Sequence, residues 1–330
     1  MFAGMKKRFA RLINGEYPLD FIVYKLFCRH GLIGRFFPMR LYRIVENRIN
    51  QIGPAKELYL QTYDGLNQAT HPSACVYNGT YYLAVTPFPY GNDMYENPCL
   101  YMSKNGQDFL PINGCFPIIT PHAHNMLIYL SDPYLYFENN ELILLYRECV
   151  YNSKNTYTAI IYSISIEDEN ITEPREIFKS DMGAMSPCIN VEGGETYLYY
   201  VEFEGKGTVL KKKNINSGLP HDVNICGLPS DLMLWHLDII RMDSQETIGL
   251  FTLSSDHYGS GARLFVAKYE KEFWTIGREI VFDNQTVTKM YKSCVVKMKD
   301  DSYRLVVSLR RKDRKWKIYY LDGFRYQDYV

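Results

Sequence analysis

One pattern constrains this chain more than any other. Five times, a polar residue opens an alternating strand that turns back on itself. The segments are "THPSACVYNGTYYLAVTP" (70–87), "SDPYLYFENNELILLYRE" (131–148), "MSPCINVEGGETYLYYVE" (185–202), "WHLDIIRMDSQETIGLFTLS" (235–254) and "YKSCVVKMKDDSYRLVVSLR" (291–310). Each runs into a turn rich in Asn, Gly, Asp or Ser, then a second strand rich in Tyr, Leu, Ile and Val, which is the signature of a β-hairpin. His71, Asp132, Ser186, His236 and Lys292 hold the matching position, at steps of 61, 54, 50 and 56 residues.

Further strand-like stretches follow each hairpin, such as "NPCLYMSKNGQDFLPI", "GTVLKKKNI" and "WKIYYLDGF". The unit is therefore about four strands, and a period of roughly 40–60 residues of short strands reads as a β-propeller. We expect an all-β, five-bladed propeller over residues 59–330, preceded by a basic, apolar helical arm over 1–58. In a propeller the first strand of each blade lines the central channel. The opening residue of each unit then sits at one mouth, and proline is tolerated there because no ladder donor is required. His71, Asp132 and Ser186 are expected to meet at that mouth, with His236 or Asp238 and Tyr291 or Lys292 completing the ring.

Charge narrows the partners. The chain carries 37 Lys and Arg against 37 Asp and Glu, but residues 1–50 alone hold ten against three. The body is mildly acidic, which argues against a nucleic-acid surface. The arm, with "MKKRFARLI" and "FIVYKLFCRHGLIGRFF", fits peripheral contact with an anionic membrane or an acidic protein partner, or helices packed on the main domain. It does not read as a signal peptide, because its apolar run is short and broken by Lys25. Eight cysteines form no CxxC pair; Cys75, Cys99, Cys149, Cys188 and Cys294 lie in strand-like contexts and read as reduced core residues of a cytoplasmic protein.

The "SDPYLYF…ELILLYRE" segment resembles the Asp-Pro blade motif of the five-bladed glycoside hydrolases of families 43, 32 and 62. The run "THPSACVYNGTYYLAVTPFPYGNDMYENPCLYMSKNGQDF" is similar to a bacterial and phage subset described as glycosyl-hydrolase-like, and "MSP", "WHLDII" and "YKS" continue its pattern in order. The resemblance spans about 64–325. It implies three axial carboxylates: a base on blade one, a modulating Asp on blade two and an acid on blade three. Only the second carries over, as Asp132. His71 stands where the first is expected, and Met185-Ser186-Pro187 stands where a Glu-x-Pro is expected.

Glycosidic hydrolysis normally requires two carboxyl groups. Asp132 or Glu148 would serve as the acid with a pKa raised by burial, and His71 as the base. Arg147, Glu96, Ser186, Trp235, His236, Asp238 and Tyr291 are the candidate substrate contacts. The plainer alternatives are an Asx turn at Asp132, a structural Arg147–Glu148 ion pair, and inner-ring histidines satisfied by the core. A metal site made of the two histidines with Asp132 and Glu148 has no support in local ligand spacing, and no phosphate loop or nucleophile elbow signals a cofactor. The expectation is a carbohydrate-active protein, glycosidase-like, working on a bacterial poly- or oligosaccharide at the axial funnel. The competing readings are a propeller that binds glycan without cleaving it, and glycosyl transfer on the same scaffold, for which Lys292, Arg147 and Arg241 are the only hint.

Overall fold

Five sheets, antiparallel but for one short edge strand, account for every described strand of the computed structural model, which describes residues 51–52, 55–120, 128–153, 156–167, 170–282 and 287–330. Of the arm predicted for residues 1–58, residues 1–50, 53 and 54 lie outside the described residues.

Blade one consists of Ala69–Tyr77, Thr80–Pro87, Cys99–Ser103 and Leu110–Pro111. Blade two runs Ile128–Glu138, Glu141–Ser153 and Thr156–Glu167, with Asn170–Ile171 and Arg175–Ser180 both pairing to the last of these. Blade three is Met185–Glu192, Glu195–Glu204, Gly207–Asn214 and His221–Asp222. Blade four is Met233–Arg241, Thr247–Ser254, Arg263–Glu270 and Phe273–Ile280, with Ile225–Cys226 added in parallel at its outer edge. Blade five contributes Val287–Lys297, Tyr303–Arg311 and Trp316–Asp322. The first strands of successive blades touch in order, and that of blade five touches that of blade one, so the ring is closed.

The turns explain why these segments fold back where they do. Asn78-Gly79, Asn139-Asn140 and Gly193-Gly194 each supply two consecutive residues of positive φ, as a two-residue hairpin turn matched to strand twist requires. Lys271-Glu272 adopts the same conformation without the usual residues. The core lies between neighbouring sheets rather than inside any one of them. Trp274, Tyr101, Tyr146, Tyr199, Tyr200, Tyr319 and Phe251 are its largest fully buried members, so many of the tyrosines are packing residues. Cys75, Cys99, Cys149, Cys188 and Cys294 are free thiols on strands.

The boundary expected at residue 58 shifts towards the N-terminus. Ala55–Leu58 pairs antiparallel with Trp316–Asp322, in register Lys56 to Tyr320, and Gln51–Ile52 pairs with it in turn. Physically, a ring of sheets needs a seam, and here the seam joins an early strand to the last blade. Among the described residues, helical structure is confined to three 3-10 turns, Pro89–Gly91, Asp93–Tyr95 and Tyr326–Asp328.

Candidate functional site

The ladder slips at the same place in every first strand. Register shifts fall between Thr70 and Ser73, Ser131 and Tyr134, Met185 and Cys188, Leu234 and His236, and Met290 and Ser293. A bulge of this kind inserts an extra residue and re-aims its side chain. His71, Asp132 and Ser186 sit in these bulges at φ of 53°, 51° and 50°, a left-handed conformation that is costly for residues with a Cβ. The proline that follows each has no N–H to leave unpaired.

The bulges bring the predicted opening residues together. Asp132, with no exposed surface, lies at the centre. Its Oδ2 is 3.0 Å from Arg147 Nη2 and accepts the Ser186 backbone N–H at 3.1 Å. Its Oδ1 faces His71 Nε2 at 3.3 Å and His236 Nδ1 at 3.6 Å. Thr86 Oγ1 holds His71 Nδ1 at 2.8 Å, and Ser186 Oγ holds His236 Nδ1 at 2.6 Å. Tyr291 covers both imidazoles, its ring 4.6 Å from that of His71 and 4.4 Å from that of His236. Trp235 packs edge-on against Tyr291 at 4.3 Å and touches His236, and Trp316 flanks Tyr291 on another side. Lys292, fully buried, donates to the Pro133 carbonyl at 2.9 Å beneath this layer.

Charge in the cluster is sorted by environment. Burial alone would raise the Asp132 pKa, but Arg147, His71, His236 and Lys292 together hold it well below the usual carboxylate range. Asp132 is therefore ionised, contrary to the expectation that burial makes it the acid. Burial pushes His71 well below its ordinary value and His236 down to about 3, each only partly offset by Asp132, so both rings are neutral. Glu96 behaves in the opposite way. It reaches in from the blade-one loop, accepts a short hydrogen bond from Ser131 Oγ, and lies 3.9 Å from His71 Nδ1. Burial, together with repulsion from Asp93 and Asp132, raises its pKa well above normal and outweighs Ser131 and Arg147. Its surroundings therefore favour the protonated form.

Two candidates fall outside this group. Glu148 follows Arg147 on the same strand, and strand alternation turns it to the opposite face. There it adds to burial in raising the pKa values of Tyr146 and Tyr162. Asp238 shares a strand face with His236 but lies deeper. With Ser73, Tyr134, Asn190 and Val295 it lines a separate cavity of about 690 Å³, formed by the later halves of the first strands. Burial raises its pKa to about 7. Thr86 and Ser131 are functional neighbours that residue type alone does not single out; Thr86 is recoverable from hairpin register, because it faces Thr70 across the ladder.

Among the described residues, one group has the composition and spacing to hold a metal ion: His71, Asp132 and His236, with ligand atoms all within 4.8 Å of one another.

No protein-family model matches the chain, and no curated protein matches it in sequence. Solved structures do match in shape. An N-acetylgalactosamine deacetylase from F. plautii, in complex with blood group B trisaccharide, aligns with a TM-score of 0.63 at 13% identity, over 77% of this chain and 89% of that one. The xylan β-1,4-xylosidase of Bacillus halodurans C-125 aligns at 0.63 and 10% identity over 80% of this chain, which spans about half (54%) of that enzyme. The GH43_1 enzyme of Xanthomonas citri, complexed with xylotriose, aligns at 0.58 and 12% identity, over 81% and 89% of the two chains. With the closed ring of five sheets described above, these matches establish that the chain has the five-bladed β-propeller fold of the family 43 glycoside hydrolases.

Proposed function

We propose that this protein is a carbohydrate-active hydrolase of the glycosidase type, acting on a poly- or oligosaccharide at the axial cluster. One observation carries the reading. Two carboxyl groups flank the same imidazole, Glu96 at 3.9 Å and Asp132 at 3.3 Å, and their surroundings push their pKa values in opposite directions, Glu96 up and Asp132 down. Such a split assigns an acid and an opposing charged partner. Glu96 donates its proton to the leaving oxygen, and the His71–Asp132–His236 cluster forms the side at which water is activated. Arg147 and the Ser186 N–H hold Asp132 in place, and Tyr291 with Phe88, both half-buried, are the aromatic surfaces a sugar meets first. The fold neighbours support the substrate class, since they include a xylosidase, an enzyme bound to xylotriose and a deacetylase bound to a trisaccharide.

A second reading, glycan binding without cleavage, is favoured by the burial of His71, Asp132 and His236 beneath Tyr291. A panel of oligosaccharides assayed both for binding and for released sugar separates the two. The expected result is hydrolysis of at least one glycan, with Glu96→Gln lowering kcat by 100-fold or more while binding persists. Asp132→Asn is a harsher change, because it leaves Arg147 without its buried counter-charge and costs about 3–5 kcal/mol of stability, so its folding is checked by circular dichroism. Binding with no release of sugar from any glycan in the panel would overturn the hydrolase reading in favour of recognition.

A further inference from the structure

We propose that His71, Asp132 and His236 bind one divalent transition-metal cation of the zinc class. The inference deepens the hydrolase reading, since it concerns the same cluster, but it stands on geometry that would hold for a binding protein too.

Each residue has one partnered polar atom and one that is free. His71 Nε2, Asp132 Oδ1 and His236 Nε2 are all buried with no hydrogen-bond partner. The parent residues are no more than 1% exposed. Leaving three such atoms unsatisfied in one place is costly, and a cation satisfies all of them at once. The spacing suits one. Bonds of about 2.0–2.1 Å in a tetrahedron set ligand atoms roughly 3.3 Å apart, and here Asp132 Oδ1 lies 3.3 Å from His71 Nε2, with ligand atoms of all three residues within 4.8 Å of one another.

The remaining atoms are held as the outer contacts of a metal site are. Thr86 Oγ1 fixes the far nitrogen of His71, Ser186 Oγ bonds the His236 ring, and Arg147 with the Ser186 N–H fixes Asp132 Oδ2. Partners of this kind orient a ligand and set which atom faces the ion. Two nitrogens and one carboxylate oxygen favour zinc and its transition-metal neighbours over calcium or magnesium, which take oxygen ligands. Three ligands leave a fourth position for water, whose proton such an ion makes easier to remove. The ligands come from blades one, two and four, two of them in strained bulges, so the set exists only once the ring is closed.

The test needs no sugar. Full-length protein is stripped with a chelator, and Zn²⁺, Mn²⁺, Ca²⁺ and Mg²⁺ are titrated separately by calorimetry, with metal content read by mass spectrometry. The expected result is one Zn²⁺ per chain, bound at least 100-fold more tightly than Ca²⁺ or Mg²⁺. His236→Ala is expected to abolish that binding. Thr86→Val and Ser186→Ala keep all three ligands, test the site without removing one, and are expected to weaken binding 10–100-fold. Co²⁺ is expected to give the visible absorption of a four-coordinate site. The proposal is overturned if the wild type takes up no Zn²⁺, or if folded His236→Ala binds it equally well. Zinc binding without hydrolysis of any glycan would sink the hydrolase reading alone, whereas hydrolysis by a protein that takes up no Zn²⁺ would sink this one alone.

Discussion

At the scale of single residues, the chain is organised by where it tolerates discomfort. Residues with side chains adopt positive φ at many hairpin turns, where solvent and short loops make it cheap. His71, Asp132 and Ser186 do so in the buried interior, and there the conformation aims functional groups at the axis. Asp64 shows the same trade in a titratable group. It lies in the segment between the seam strand and blade one, hydrogen-bonded to Thr62, with Oδ2 left without a partner. Burial outweighs these bonds and raises its pKa to about 6. Because the folded value lies above the unfolded value near 3.9, the unfolded chain binds fewer protons between these limits, and stability falls as pH rises from about 4 to 6. The shift corresponds to about 3 kcal/mol. Urea titrations across that window are expected to show wild-type stability declining and Asp64→Asn flattening the decline. An identical slope in the variant would show that Asp64 is not the group responsible.

At the scale of elements, the bulged hairpin is the repeating device, and it explains what could be read in advance. His71, Asp132, Ser186, His236 and Lys292 share one position in five similar segments, with Tyr291 beside the last, so their convergence follows from the repeat alone. Glu148 misleads because it adjoins Arg147 in the string of letters, while strand alternation places the two on opposite faces. Asp238 misleads for the converse reason: it shares the face of His236 but belongs to a different depth of the channel. The ionisation of Asp132 was not legible at all, because it depends on Arg147 outweighing burial, a balance that residue type does not reveal. The shortest edge strands were hidden, as His221–Asp222 and the parallel Ile225–Cys226 show. Loops also shape the mouth. A Cβ on Gly259, at φ 70°, would come within 1.9 Å of the Trp235 ring. Gly259→Ala is therefore expected to displace the indole from His236 and Tyr291, costing about 1–3 kcal/mol of stability. A shift in tryptophan emission, with weakened glycan or metal binding, is the measurement; unchanged emission would mean that the loop moves instead of the ring.

At the scale of the whole molecule, stability depends on the seam. Ala55 and Leu58 are buried where the early strand meets blade five, Ala55 in the core between blades four and five and Leu58 in that between five and one. Leu58→Ala is expected to cost about 2–5 kcal/mol. Hydrogen exchange should accelerate first in Trp316–Asp322, the strand it closes upon; uniform acceleration over all five blades would indicate that the ring opens as a single unit instead. The pairing of Lys56 with Tyr320 also governs timing. During synthesis, the segment that seals the circle emerges early and must wait, unpartnered, until the final sheet has left the ribosome. Four blades can condense on their neighbours as they appear, but the ring is sealed only once Trp316–Asp322 has been made, and until then the early strand is an exposed edge on which a chaperone, or another nascent chain, can act.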